Sequence, residues 1–143
     1  MKRLPPVFLS VLLLGVRAVS AGDIEIKDPW VRAVPPSSSS TAAFLVILNK
    51  ADQPAALVAC ASPVAREVKP MVTTKQANGM LGMEFAERFL IPAGKRRVLE
   101  PGADHLMLMR LKSVPKAGTT VPLVLIFESA GKRQEIKLDA PVR

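Results

Sequence analysis

Proline and glycine interrupt this chain so often that no stretch between them suits a helical bundle. Pro35-Pro36, Ala51-Asp52-Gln53-Pro54, Asn78-Gly79, Pro92-Ala93-Gly94, Pro101-Gly102 and Ala130-Gly131 each mark a turn. Proline removes a backbone donor and glycine admits left-handed backbone, so both end regular structure. The segments left between them have strand length. Asp23 to Lys27 and Arg133 to Leu138 alternate polar and apolar residues, which predicts half-buried strands. Ala42 to Leu48 and Val121 to Phe127 are nearly continuous apolar runs, expected as the central strands of a two-layer sheet. Ala55 to Ala61, Glu67 to Thr73, Met80 to Ala86, Arg97 to Glu100 and His105 to Leu111 are further strand candidates. With 143 residues, 49% of them hydrophobic, the chain suits a single domain, and the turn frequency predicts an all-β sandwich or barrel. The serines from Ser37 to Ser40 read as a loop.

The first residues follow a different rule. Lys2 and Arg3 precede an apolar run from Val7 to Leu14, which leads to the small residues around Val19-Ser20-Ala21. That is the pattern of a secretory signal, and its apolar core is well short of the roughly 20 residues that span a bilayer. Residues 1–21 are expected to be a signal peptide cleaved near Ala21/Gly22, leaving a mature domain of residues 22–143 without a transmembrane span. Arg17, in the cleavage region, favours the alternative of an uncleaved anchor.

Taking Lys2, Arg3 and Arg17 from the 20 basic residues leaves 17 against 12 acidic ones, so the mature charge is +5 rather than +8. The excess is scattered, there is no Tyr and one Trp, and nucleic-acid binding is therefore disfavoured. Cys60 is the single cysteine, which excludes an internal disulfide. Its apolar surroundings, Ala55 to Ala61, read as those of a buried structural thiol.

The unusual residues are concentrated. Apart from Met1, every methionine (Met71, Met80, Met83, Met107 and Met109) lies between residues 71 and 109, together with the only histidine, His105. Thioether sulfur is a soft ligand that, with imidazole, suits Cu(I), and it has no proton to lose. On an extended strand His105 and Met107 point the same way, a two-toothed clamp, with Met109 one step further on the same face. The competing account is that these methionines fill gaps in a core poor in aromatics. A blue-copper site needs two histidines and a thiolate, and zinc sites draw on several Cys or His, so neither fits. No G-x-S-x-G elbow or local Cys-His signature accompanies His105, and Asp104 faces the opposite side of an extended strand. An enzyme is not expected.

Asp28-Pro29-Trp30-Val31-Arg32-Ala33-Val34-Pro35-Pro36, then Leu90-Ile91-Pro92-Ala93-Gly94, then Pro101-Gly102 with His105-Leu106-Met107-Leu108-Met109, together resemble the PCu(A)C family of periplasmic copper chaperones. The resemblance runs from about residue 24 to residue 140. It implies a cupredoxin-like Greek-key β-sandwich holding Cu(I) at an exposed edge through His and Met ligands. It also implies a periplasmic metallochaperone that delivers copper toward the dinuclear centre of cytochrome c oxidase subunit II, alongside Sco-type proteins. The family places 21 intervening residues between a methionine and His-x-Met, as residues 84–104 stand here between Met83 and His105. Its first histidine aligns with Lys69, its accompanying methionine with Met71, and a small glycine with Arg110. The implied metal ligands are Met83, His105 and Met107, with Met71 the leading fourth candidate and Met80 behind it. Lys69 cannot donate a lone pair while protonated. Either a further methionine substitutes for the missing histidine, or the lysine charge repels the cation and leaves a metal-free binding module. Trp30 is expected to pack in the core, as a lone Trp in a small sandwich commonly does, with a place near the site as the alternative.

Overall fold

The structure, a computed structural model, describes residues 19–143, of which 19–21 are described by their backbone alone. The expected signal peptide thus lies almost entirely outside the described residues.

Among the described residues every regular element is a strand: β1 (Val19–Ala21), β2 (Ile24–Val31), β3 (Ser40–Asn49), β4 (Ala55–Ala61), β5 (Ala65–Lys75), β6 (Leu81–Phe85), β7 (Phe89–Ile91), β8 (Arg96–Leu99), β9 (His105–Leu111), β10 (Thr120–Ser129) and β11 (Lys132–Pro141). Their hydrogen-bonded order is β1-β2-β3-β9-β5-β4-β10-β11, with β6 on β5, β7 on β4 and β8 on β3. The ends of this path nearly meet. Val142 bridges Val31 in parallel, the Arg143 N–H donates to the Val31 carbonyl at 2.9 Å, and the Ala33 N–H donates to the Arg143 carbonyl at 2.7 Å. This is a cupredoxin-like β-sandwich, the fold class the sequence implied.

Period-two alternation sets what each strand buries. In β3, Ala43, Leu45, Ile47 and Asn49 face the interior; there Asn49 donates from Nδ2 to the Ile91 carbonyl at 3.0 Å and so fixes β7. Leu106 and Leu108 of β9 and Leu123, Leu125 and Phe127 of β10 complete the centre of the core. The apolar run in β10 buries only that one face; Pro122 is exposed and Val124 and Ile126 are half-buried. It packs on one side of the sandwich rather than lying sealed on both. Phe89–Ile91, which forms the short strand β7, was not expected as a strand. Three residues are too few to show alternation, and Phe89 and Ile91 enter the core through their pairing with β4.

β2 contains the irregularity that matters most for the site. Ile24 and Ile26 point inward opposite Asn49 and Ile47, but the register shifts between Lys27 and Trp30, where Asp28 has a φ of 50°. The extra residue is a β-bulge and reverses the facing of everything after it. Val31 becomes the buried residue, and Trp30 pairs with Phe44 on the outer face. Trp30 therefore does not join the main core as expected; it stacks on Phe44 with ring centroids 4.5 Å apart.

Candidate metal centre

β9 runs between β3 and β5, and its register sets the site. Met107 lies opposite Ala42 on one side and Lys69 on the other, while His105 lies opposite Met71. Directly paired residues share a face of the sheet, so all five stand on the face turned away from the main core. β6 folds back along β5 with Met83 opposite Thr73, which puts that thioether on the same face. Residues far apart in sequence thereby meet: Met83, His105 and Met107 line one cavity of about 220 Å³, with Phe44, Ala42 and Arg32 in its wall. His105 is 5% exposed and Met83 53%, so the cavity has a buried imidazole at its base and a solvent-facing thioether at its rim.

The other methionines stand outside this wall. Met71 is half-buried one cross-strand step from His105, Met109 lies further along β9, and Met80 is 65% exposed in the turn before β6. Met71 shares the sheet face of the imidazole but does not line the cavity. Met80 belongs to an exposed run with Leu81, Met83 and Phe85.

His105 is held in one orientation. Its Nδ1 lies 3.1 Å from the Ala103 carbonyl, which can only accept, so in the neutral ring Nδ1 carries the proton and Nε2 the lone pair. The Phe44 ring packs 6.2 Å from it, centroid to centroid. Asp104 does not orient the imidazole. Its carboxylate accepts from the Thr73 N–H at 3.1 Å and from Arg97 Nη2 at 2.9 Å. Arg97 also donates to the Leu90 carbonyl at 2.9 Å and lies 4.3 Å over the Phe89 ring. Asp104 thus clamps the start of β9 to β5, the strand that carries Met83 through its pairing with β6.

Lys69 is engaged rather than free. Its ammonium lies 2.8 Å from the Glu67 carboxylate and 5.5 Å over the Phe85 ring, and Glu67 also meets Arg110 at 3.2 Å. The hydrogen bond from Lys69, with the charges of Lys69 and Arg110, holds the Glu67 carboxyl below its ordinary range against an opposing push from burial. Arg110 itself has a φ of 52°, in the left-handed region where glycine is at ease.

The donor set defines what can bind. Among the described residues no three His, Cys, Asp or Glu side chains cluster as a metal site, so the cavity offers thioether and imidazole and suits a soft cation rather than zinc or calcium. Cys60 takes no part: it lies half-buried in β4, and burial pushes its thiol up to about 12. Phe44, inside the apolar run Ala42 to Leu48, and Arg32, inside the stretch Asp28 to Pro36, also line the cavity, and neither stands out by residue type. The even-numbered position of Phe44, out of phase with Ala43, Leu45 and Ile47, was the available signal.

The model of the LpqE-like family matches residues 24–142. Lxx21020 of Leifsonia xyli subsp. xyli (strain CTCB07), whose name marks it as a lipoprotein, is 32% identical over 107 residues, covering 75% of this chain. The aligned part spans 63% of that relative's length. Among solved structures, the copper-bound PCuAC domain from PmoF2 superposes with a TM-score of 0.75 at 25% identity, covering 89% of this chain and 97% of that one. The CuI-DR1885 solution structure from Deinococcus radiodurans superposes with a TM-score of 0.64 at 35% identity, covering 91% and 83%.

Proposed function

This chain belongs to the LpqE-like family, and we propose that it is a Cu(I)-binding metallochaperone of the periplasm. The observation that carries the reading is the convergence of Met83, His105 and Met107 on one cavity with Nε2 of the imidazole unblocked. The ligand set is those three residues, with Met71 the fourth candidate because it sits directly across β5–β9 from His105. Solved neighbours of the same fold whose names record bound copper support the same conclusion. Cu(I) is the cargo: a solvent-facing Met83 is the donor a recipient displaces first, and the buried imidazole releases last. The signal peptide of residues 1–21 exports a mature domain of residues 22–143, and the recipient is cytochrome c oxidase subunit II, with a Sco-type protein as co-worker. The domain binds and hands over a metal and is not an enzyme.

A second reading, a metal-free sandwich that contacts a membrane-associated partner, rests on Lys69 in place of a ligand. Anaerobic titration of the mature protein with Cu(I) against a competing chelator separates the two. Stoichiometric uptake that His105→Ala and Met83→Ala each weaken at least tenfold supports the chaperone. Absence of competitive uptake by the parent protein moves the assignment to the binding module.

A further inference from the structure

Among the described residues, Arg32 is the only permanently charged one in the cavity wall. Its backbone is fixed on both sides: its N–H donates to the Ala42 carbonyl at 3.0 Å, and its own carbonyl accepts from the Thr41 hydroxyl at 2.6 Å. Its guanidinium carbon lies 5.1 Å from the centroid of the Phe44 ring, the same ring that packs on His105. Among the described residues no carboxylate pairs with it, as none pairs with Arg66, Arg88, Arg96 or Arg143; what sets the exposed Arg32 apart is its place at the cavity wall.

A cation in the wall of a cation site is unfavourable by itself. The thioethers and neutral imidazole supply no negative charge, so a Cu(I) ion there would share a small cavity with a guanidinium and no counter-charge. An incoming anion resolves this, and the softness of Cu(I) selects which one: a thiolate bonds to it far better than a carboxylate. Arginine offers several donors in a fixed plane to such an anion.

We propose that the mouth of the cavity beside Arg32 is a docking position for a cysteine thiolate of the protein that exchanges copper with this chain. The inference rests on the Cu(I) reading above. The thiol gives its proton to solvent, the thiolate settles against the Arg32 guanidinium, and its sulfur forms a bond to Cu(I) as Met83 Sδ leaves. Copper remains Cu(I) throughout, so no oxidant or reductant is needed.

The test uses the Cu(I)-loaded mature protein under anaerobic conditions at pH 8, titrated calorimetrically with 2-mercaptoethanol, imidazole and acetate in separate runs. Arg32→Gln is expected to weaken 2-mercaptoethanol binding about tenfold while changing imidazole binding less than twofold. Arg32→Lys, which keeps the charge, is expected to retain most of the thiolate affinity. Acetate is expected to bind the loaded parent at least tenfold more weakly than 2-mercaptoethanol. Equal loss of thiol and imidazole binding in Arg32→Gln, no loss of either, or acetate binding as tightly as the thiol overturns the proposal while leaving copper binding intact. Failure of the parent to take up Cu(I) overturns both together.

Discussion

Replacing Lys69 by histidine places a ring nitrogen beside the cavity, and the expected effect can be worked from the local charges. A lone ammonium about 8 Å from Cu(I), at an effective dielectric near 20, would cost on the order of 2 kcal/mol, roughly thirtyfold in affinity. Lys69 is not alone, because the Glu67 carboxylate 2.8 Å away places an opposite charge at nearly the same distance and cancels most of that field. The residual repulsion is below about 1 kcal/mol. Lys69→Gln, which only deletes the charge, should therefore change Cu(I) affinity by less than about fivefold. Lys69→His adds a donor directly across from Met107 and two residues from Met71, and should tighten binding by about tenfold to a hundredfold. Competition with a chelator of known affinity, under anaerobic conditions, measures both variants. If Lys69→Gln tightens binding as much as Lys69→His, charge rather than a missing donor was the obstacle. If neither changes it, position 69 does not lie beside the metal and the register argument fails.

Arg110→Gly should stabilise the domain by about 1 kcal/mol, seen as a rise of roughly 3–6 °C in Tm. The left-handed backbone at that residue costs arginine more than its exposed contact with Glu67 returns. Asp104→Ala should destabilise by about 1–2 kcal/mol in urea unfolding, since it frees the Thr73 N–H and strips Arg97 of its carboxylate. It should also loosen Cu(I) binding about tenfold, because β5 and β6 lose their tie to the start of β9. Cys60, with its thiol at about 12, should resist alkylation: at pH 8 only roughly one thiol in ten thousand is ionised, against about one in ten for an ordinary cysteine near 9. Iodoacetamide labelling of the native protein should accordingly run about a thousandfold slower than labelling of the urea-unfolded chain.

Local pattern sufficed for much of the fold. Ala55–Ala61 and His105–Leu111 form strands with the bounds their sequence predicted, because each is an extended run stopped by turn residues on both sides. His105 and Met107 on one face required only the period of a strand. Two features needed the third dimension. The bulge at Asp28 inverts the facing of Trp30, and nothing in the alternation of β2 announces it. The choice among the methionines also depends on register. Met83 rather than Met80 or Met71 reaches the cavity because β6 pairs Met83 with Thr73, whereas Met80 stays in the turn. Residue type located the chemistry, and strand pairing decided which side chains share it.

X-ray absorption at the copper edge of the Cu(I)-loaded mature protein tests the central claim most directly. The account predicts a shell of one nitrogen and two or three sulfur neighbours, from which His105→Ala removes the nitrogen and Met83→Ala removes one sulfur. A shell made only of nitrogen and oxygen, or one that His105→Ala leaves unchanged, would contradict it.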